Sequence, residues 1–448
     1  MKYRSVKVFF IFLFLMLVTY IIFNNPISLY DLIDQKKVSG FYVVWPQIRI
    51  FVEPIYSFIF YALTLNRNFY KPVIISWILW VIGAAIMYSL LNKQTVTKTL
   101  YNIFYSLMLL LTLFSFVALV PVPGPKLIKP QNYIALDIHS HTLTSHDNVA
   151  PANISLKAHI WQGYDVFFNT EHNHSNGYVK FPNEFKYKVV YPGMQMQTKD
   201  KISVLILSSK EFYGDDYKNL SLEDIIKKAH NNGMIVIMPH WWKWHIKTFN
   251  ELKDLGIDGF EIYNCGYRNF SSSQRKELIK FCIDNGLPMF GVTDWHGWGY
   301  MADVWTVLEG DLSYNIEEQL AKRPKTKVIL YRQEQSGSVF RFVFEPFYTF
   351  YYYVKNVELK YFVSFIVWTL TIFLLAVSKL FNYIKNYFPL VMALLYSFTA
   401  IYFYNIVKNV DSNTIVVKSV IPVLIVFCLL WFVLWRLNDT NKSQKYKS

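Results

Sequence analysis

The stretch Ala135–Asp147, ALDIHSHTLTSHD, places three histidines and two aspartates directly behind an apolar run. Its reading decides the fold, because a metal-binding loop needs other strands to bring it partners, whereas a polar loop needs nothing beneath it. In HSH the histidines stand two apart. On an extended segment both imidazoles then point the same way and reach one ion. An isolated pair of this kind is more often a surface or hydrogen-bonded pair, so its meaning rests on what else converges on it.

Downstream of His141, short apolar runs alternate with helical ones. YIALDI, DVFFNT, KVVYPG, SVLILSS, MIVIMPH, GIDGFEIYN and LPMFGVTD read as strands. SLEDIIKKAHNNG (Ser221–Gly233) and SSQRKELIKFCIDNG (Ser272–Gly286) read as helices. In the first helix Leu222, Ile225, Ile226 and Ala229 recur at helical spacing, with Ser221 as N-cap and Gly233 as stop. Strand followed by helix, repeated, implies a parallel sheet, and seven strands over about 200 residues close into a barrel as readily as they stay open. The polar residues fall at strand ends: His139 and His141, Glu171 and His172, Gln195, His240, then Asp294 and His296. Strand C-termini of a parallel barrel share one face, so these residues converge there. That convergence turns HSH into a metal-site expectation. Imidazole with carboxylate suits zinc, manganese or iron rather than calcium, and the absence of thiolates argues against a structural zinc site. His159 and His230 lie in helical segments and are expected in solvent, while His174 and His245 lie near the ligand candidates without evident partners. HWWKWH (His240–His245) is expected either at a substrate mouth or on a lipid surface.

Composition adds a membrane. With 448 residues, 53% hydrophobic, 19% aromatic and only 17% charged, the chain is too apolar for an ordinary soluble protein. Six stretches approach the length of a span: Val8–Phe23, Val73–Leu91, Leu100–Val122, Tyr361–Ser378, Tyr387–Val407 and Ile415–Trp435. The first follows Lys2, Arg4 and Lys7; lacking a small-residue cleavage site, it reads as an uncleaved anchor rather than a secretory signal. The organisation expected is a membrane region over 1–127, a metal-binding barrel over 128–337, entered through PVPGPKLIKP, and a second membrane region over 338–448.

The two membrane regions echo each other. RIFVEPIYSF (Arg49–Phe58) recurs as RFVFEPFYTF (Arg341–Phe350), and SWILW (Ser76–Trp80) as SFIVW (Ser364–Trp368), which points to a duplicated unit interrupted by the barrel. The Glu-Pro segments carry charge and proline and are expected as interfacial helices rather than spans. With six spans, Lys2, Lys93, Lys379, Arg436 and their neighbours fall on the cytoplasmic side and the barrel lies outside the cytoplasm. The excess of 45 basic over 31 acidic residues sits largely beside the spans, which favours anionic lipid as its partner and gives no reason to expect nucleic acid. Cys265, Cys282 and Cys428 form no CxxC pair.

Residues Tyr133–Gly297 resemble the PHP (polymerase and histidinol phosphatase) superfamily of metal-dependent phosphoesterases. DIHSHTLTSHD is similar to its opening DxHxHTxxSDG, GYDVFFNTEHN to its GxDxxxxTDHN, MIVIMPH to its strand ending in AHP, GFEIYN to its GxExxN and GVTDWHG to its GSDxHG. The resemblance implies an α/β fold, a distorted (β/α)7 barrel; the transmembrane helices expected on either side lie outside it and come from the apolar stretches. The resemblance further implies two or three divalent ions and a bridging hydroxide as nucleophile. Carried over by position, His139, His141, His172, His240, Asp294 and His296 are ligands, with His146 or Asp147 closing the first motif. Glu171 stands where an aspartate is usual and falls beside the ligands, and Gln195 replaces a bridging glutamate, a neutral donor that weakens one metal position.

The function implied is hydrolysis of a phosphoester, lipid-linked or of the cell envelope given the bilayer alongside, with Glu171 or His146 protonating the leaving oxygen; the same metal chemistry also admits another ester-like or amide-like bond. Two rivals stand beside it. One is a catalytically degenerate PHP-like module that binds a ligand and relays it to the duplicated spans. The other is a transporter with the barrel as accessory, for which intramembrane charge is scarce beyond Lys418.

Overall fold

In a computed structural model of the chain, residues 2–25, 29–51, 53, 70–119, 124–148, 150–243, 247–266, 270–297, 301, 303–331 and 339–377 are described. Thirteen strands occur among them: β1 (Tyr30–Asp31), β2 (Lys36–Lys37), β3 (Tyr42–Val44), β4 (Lys126–Ile128), β5 (Tyr133–Ser140), β6 (Val166–His172), β7 (Val190–Gln197), β8 (Ser203–Leu207), β9 (Ile235–Met238), β10 (Gly259–Asn264), β11 (Met289–Val292), β12 (Val304–Glu309) and β13 (Thr326–Leu330). Eleven of them form one sheet in the order β11, β10, β9, β8, β7, β6, β5, β12, β13, β1, β2, while β3 pairs with β4.

The seven runs read as strands are β5 to β11, adjacent in the sheet and in chain order. This is a mixed α/β fold rich in parallel pairs: β5 with β6, β6 with β7, and β10 with both β9 and β11. One element departs from the all-parallel expectation. β8 is antiparallel to both β7 and β9. The cause is chain length: only residues 198–202 join β7 to β8, and Thr198 turns the chain by accepting at its backbone carbonyl from Lys201 and donating its amide to Ile202. A parallel return needs a crossover of a dozen residues or more. β12 and β13, which flank β5 on its other side, and the two-residue β1 and β2 have no counterpart in the sequence reading.

The seven strands β5 to β11 curl until β11 returns to β5. Ser140, the last residue of β5, forms a parallel bridge with Trp295 beyond β11, and the Asp294 amide donates to the His139 carbonyl at 2.9 Å. Ile134, Leu136 and Ile138 of β5 pack with Phe168, Leu205, Leu207, Ile235, Ile237, Phe290 and Val292 in one buried cluster, the filling of a small barrel. Alternate residues face outward, where Met194, Val204, Ile206, Val236, Phe260 and Ile262 pack under the helices Leu222–Asn231 and Ser272–Asn285. Strands covered on both faces read as nearly continuous apolar runs, as these do. The helix Leu222–Asn231 begins at Ser221, whose hydroxyl accepts from the Asp224 amide, and buries Leu222, Ile225, Ile226 and Ala229. Each fully buried aliphatic side chain contributes roughly 1.5–3 kcal/mol.

Outside the barrel, four stretches read as spans fall on helices: Lys2–Phe23, Tyr70–Leu91, Val96–Leu119 and Leu359–Val377. The other two, Tyr387–Val407 and Ile415–Trp435, lie outside the described residues. Among those described, Pro72–Leu91 is long and apolar enough to cross a bilayer, and Phe9–Phe23 and Leu359–Leu375 are shorter apolar helices. The duplicated motifs occupy matching settings. Arg49 pairs with Glu53 at 2.7 Å and Arg341 with Glu345 at 3.4 Å, all four side chains buried. The contacts are reciprocal: the Ser76 hydroxyl donates to the Val343 carbonyl and the Ser364 hydroxyl to the Ile50 carbonyl, each half reaching the Arg-Glu segment of the other.

Gly163 shows how tightly the first barrel helix, Ala152–Gln162, is set. It has φ +89°, and a Cβ there would lie 2.4 Å from the Leu127 carbonyl oxygen of β4. The exchange Gly163→Ala is therefore expected to lower stability by about 1–3 kcal/mol, read as a lower denaturant midpoint with an unchanged slope.

Candidate metal centre

The barrel's strand ends carry the candidate ligands to one place. His139 lies near the end of β5, His172 ends β6, Gln195 lies in β7, His240 follows β9, and Asp294 and His296 follow β11. His240 and Asp294 have φ of +26° and +45°. Side chains rarely occupy that left-handed region, and such strain persists where the surroundings over-determine it.

Two groups of ligand atoms form, each within 4.8 Å: His139, His141 and Asp294, and His141, His172 and His296. In the first, His139 Nε2 lies 3.1 Å from His141 Nε2, 3.2 Å from Gln195 Oε1 and 3.5 Å from Asp294 Oδ1. In the second, Asp147 spans two rings, with Oδ1 3.3 Å from His172 Nε2 and Oδ2 3.1 Å from His296 Nε2. Gln195 joins His240 through its amide nitrogen, 3.0 Å from the His240 Nε2.

Hydrogen bonds on the far side of the rings set which nitrogen faces inward. His139 Nδ1 lies 2.6 Å from Glu261 Oε1, His141 Nδ1 3.2 Å from the Ser145 hydroxyl, and His296 Nδ1 2.8 Å from the Asp294 carbonyl. A ring that donates from Nδ1 presents a lone pair at Nε2, the arrangement by which a carboxylate orients a metal-bound imidazole. The lone pairs of His139, His141, Gln195 and Asp294 then crowd one point, and only a cation satisfies them together. Asp294 Oδ2 adds a buried oxygen without a hydrogen bond. These residues fit a divalent ion of the imidazole and carboxylate class.

The electrostatics agree. Burial disfavours a charged His139, yet the Asp294 and Glu261 carboxylates outweigh it and raise the ring from 6.5 to about 9. Burial and the neighbouring His172 push His141 the other way, well below the ordinary histidine value. Burial works against charge on Asp294 and Asp147 too, but the histidines around each hold both well below the usual carboxylate range. Proton and metal ion thus compete for the His139 Nε2.

Of the two residues closing the first motif, Asp147 faces His172 and His296, whereas His146 is exposed at the rim with its ring 5.2 Å from His172. Glu171 is fully buried and surrounded by donors: the Thr142 amide and hydroxyl, the Ser145 hydroxyl and the Asn169 amide nitrogen. It shapes the turn after His141, and Ser145 in turn contacts His141 Nδ1 and the His172 amide. Glu261 is the residue that reading the sequence passes over. It lies within GFEIYN, and its carboxylate bonds His139, the His240 amide and Asn264. The available signal was an acid inside an otherwise apolar strand run.

One correction concerns His159. Instead of lying in solvent it is fully buried, stacked on Phe167 at 3.8 Å, with Nε2 3.2 Å from Asp137. The helix Ala152–Gln162 lies against the barrel, and this face of it is inward. His230 is exposed as expected, pairing with Asp258 at 2.8 Å, and His174 is half-buried. In HWWKWH, Trp242 stacks on Phe270 and Trp241 packs on Phe249, while Trp244 and His245 lie outside the described residues.

No protein-family profile and no curated protein matches the chain. Among solved structures it is similar to a two-domain protein from Bacteroides vulgatus described as containing a predicted PHP-like metal-dependent phosphoesterase, at 15% identity over 48% of this chain and 69% of that one, TM-score 0.37. It is also similar to PsfC from Pseudomonas syringae, at 16% identity over 49% and 98%, TM-score 0.35. An amidohydrolase from Chromobacterium violaceum matches at 12% identity over 44% and 97%, TM-score 0.32. At these TM-scores the reading of the site rests on its own side chains.

Two outcomes follow from the geometry. Removing the charge of the His139 partner by Glu261→Gln should weaken binding of a divalent ion by about 10–100-fold, measured by titration calorimetry. Because the ion displaces a proton from a ring titrating near 9, affinity should rise steadily from about pH 6 to pH 9, with proton release visible as buffer-dependent binding heat.

Proposed function

We propose that the chain is a membrane-anchored, metal-dependent hydrolase of the PHP type that cleaves a phosphoester. The observation that carries this reading is the buried convergence of inward-facing imidazole nitrogens and carboxylate oxygens, with outer partners that orient them. Two or three ions of zinc, manganese or iron would be held, by His139, His141, Asp294, Gln195 and His240 on one side and His172, His296 and Asp147 on the other. Bound there, such ions supply Lewis acidity and a water nucleophile available at neutral pH.

The chain's own residues provide the rest. Glu261 and Ser145 keep His139 and His141 turned inward, and Glu171 holds the turn that carries Ser145. The ligands on the barrel side are buried and shut out water, while the partly exposed His172 and Asp147 leave an approach from the rim. His146 stands on that rim and is the proton donor to the leaving oxygen.

Membrane placement is supported by an inversion of polarity in the duplicated segments. Arg49, Glu53, Arg341 and Glu345 are at most 4% exposed, whereas Phe51 and Phe340 beside them are 70% and 75% exposed. Water rewards the opposite arrangement, and lipid this one. Trp295, the residue between Asp294 and His296, belongs to the same buried cluster as Met16, Trp45, Tyr353, Tyr361 and Phe365 of the flanking regions. A site that shares packing with bilayer helices favours a lipid-linked phosphoester, with the bilayer as partner and the barrel outside the cytoplasm. Gln195 favours one rival: its amide nitrogen engages His240, a weaker grip than a bridging carboxylate, as in a module that binds without turnover.

Manganese- or zinc-loaded protein is expected to hydrolyse a generic phosphomonoester or phosphodiester, with His139→Ala plus His141→Ala at background. Equal activity in that double variant rejects the metal site as the catalyst, and tight metal binding with no hydrolysis selects the binding module. His146→Ala should lower kcat by about 10²–10⁴-fold with metal content unchanged.

A further inference from the structure

Beneath the metal centre lies a second, wholly buried group of polar side chains: Asp137, His159 and Thr293, each at most 1% exposed. They stand at the seam where the barrel closes, and the seam lacks a regular ladder. Besides the Ser140 to Trp295 bridge, the backbone link there among the described residues is the Asp294 amide to the His139 carbonyl. Side chains make the other connections: the Thr293 hydroxyl lies 3.3 Å from the His139 carbonyl, the Thr306 hydroxyl of β12 bonds the Gly291 amide and carbonyl of β11, and the Asp137 carboxylate bonds both edges. Its Oδ1 accepts from the amides of His139 and Thr293, both at 3.2 Å, and its Oδ2 accepts from the Thr293 hydroxyl at 2.5 Å.

That leaves Asp137 to be held from behind, and His159 does so from another element. On the helix Ala152–Gln162 its Nε2 lies 3.2 Å from Asp137 Oδ2 and its Nδ1 2.7 Å from the Ser155 carbonyl. Both ring nitrogens face oxygens, so the ring is held at two points. The ring is fixed in plane by Phe167, nearly parallel at 8°, so it has one way to point.

We propose that His159 is a positioning residue of the metal centre, locking the Asp137 carboxylate that staples β5 to Thr293 and so presenting His139 and Asp294 to one ion. The inference rests on the metal-site reading above but not on hydrolysis. Each ligand is the immediate neighbour of, or two residues from, a group in the staple: His139 from Asp137, and Asp294 from Thr293. Asp294 also sits in the left-handed region, a conformation that relaxes once its neighbours let go.

The test is cobalt(II) binding to the full chain in detergent, read by affinity and by the visible d–d bands, which report ligand geometry. His159→Phe keeps ring volume and stacking but removes both ring nitrogens; it should weaken cobalt binding by about 10-fold or more and shift the bands. His159→Gln, whose amide can still donate to Asp137, should restore most of the affinity and the parent bands. Thr293→Val, which removes a donor at the other end of the same carboxylate, should reproduce the shift and serves if His159→Phe fails to fold. Parent-like affinity and bands in a folded His159→Phe, or equal impairment in the Phe and Gln variants, overturn the proposal while leaving the metal site intact. A parent protein that binds no cobalt overturns the site reading itself.

Discussion

The closure between β5 and the end of β11 is the constraint on which the rest depends. Open the sheet there, and His139 and His141 stay on one edge while Asp294 and His296 leave with the other. Closed, the two edges are held by the Ser140 to Trp295 bridge, by the Asp294 amide and Thr293 hydroxyl on the His139 carbonyl, and by the Asp137 carboxylate with its buried donors. A buried carboxylate is costly unless hydrogen-bonded, and this one is bonded by residues from both edges and from the covering helix. The same bonds that meet its desolvation cost set the spacing of the ligands above it.

The antiparallel β8 has a related consequence. A tight return after β7 lets Gln195 and His240 come within 3.0 Å, since only one short strand separates β7 from β9. The barrel is thereby compact, and imidazoles and carboxylates crowd to distances at which protons alone satisfy them poorly. Opposite shifts in His139 and His141, adjacent rings in one cluster, express that crowding.

The barrel is also joined to what surrounds it. Trp45 donates from its indole to the Tyr331 hydroxyl at 3.1 Å, just beyond β13, and Arg49 lies between Trp45 and Tyr361 at 3.9 and 4.1 Å from their ring centres. Glu53 takes the Arg49 guanidinium and the Tyr353 hydroxyl together. The first Arg-Glu motif therefore ties the N-terminal region, the barrel's last strand and the C-terminal helices into one packing unit, while its partner motif is met by Ser76 from the other half.

Local signals determined a good part of this by themselves. Apolar runs of strand length located β5 to β11, helical spacing and capping residues located the helix Leu222–Asn231, the run SSQRKELIKFCIDNG located Ser272–Asn285, and histidines or acids at strand ends located the face that bears the site. Such features are written in neighbouring residues, because strand period, caps and turns are short-range. What only the tertiary structure decided involves partners far apart in the chain. That Asp147 rather than His146 turns inward, that Glu261 backs His139, that Glu171 serves a turn, and that His159 is buried under Asp137 all depend on which surfaces the barrel brings together. A side chain's role here follows from what stands opposite it, and the sequence names the residues without saying which ones will meet.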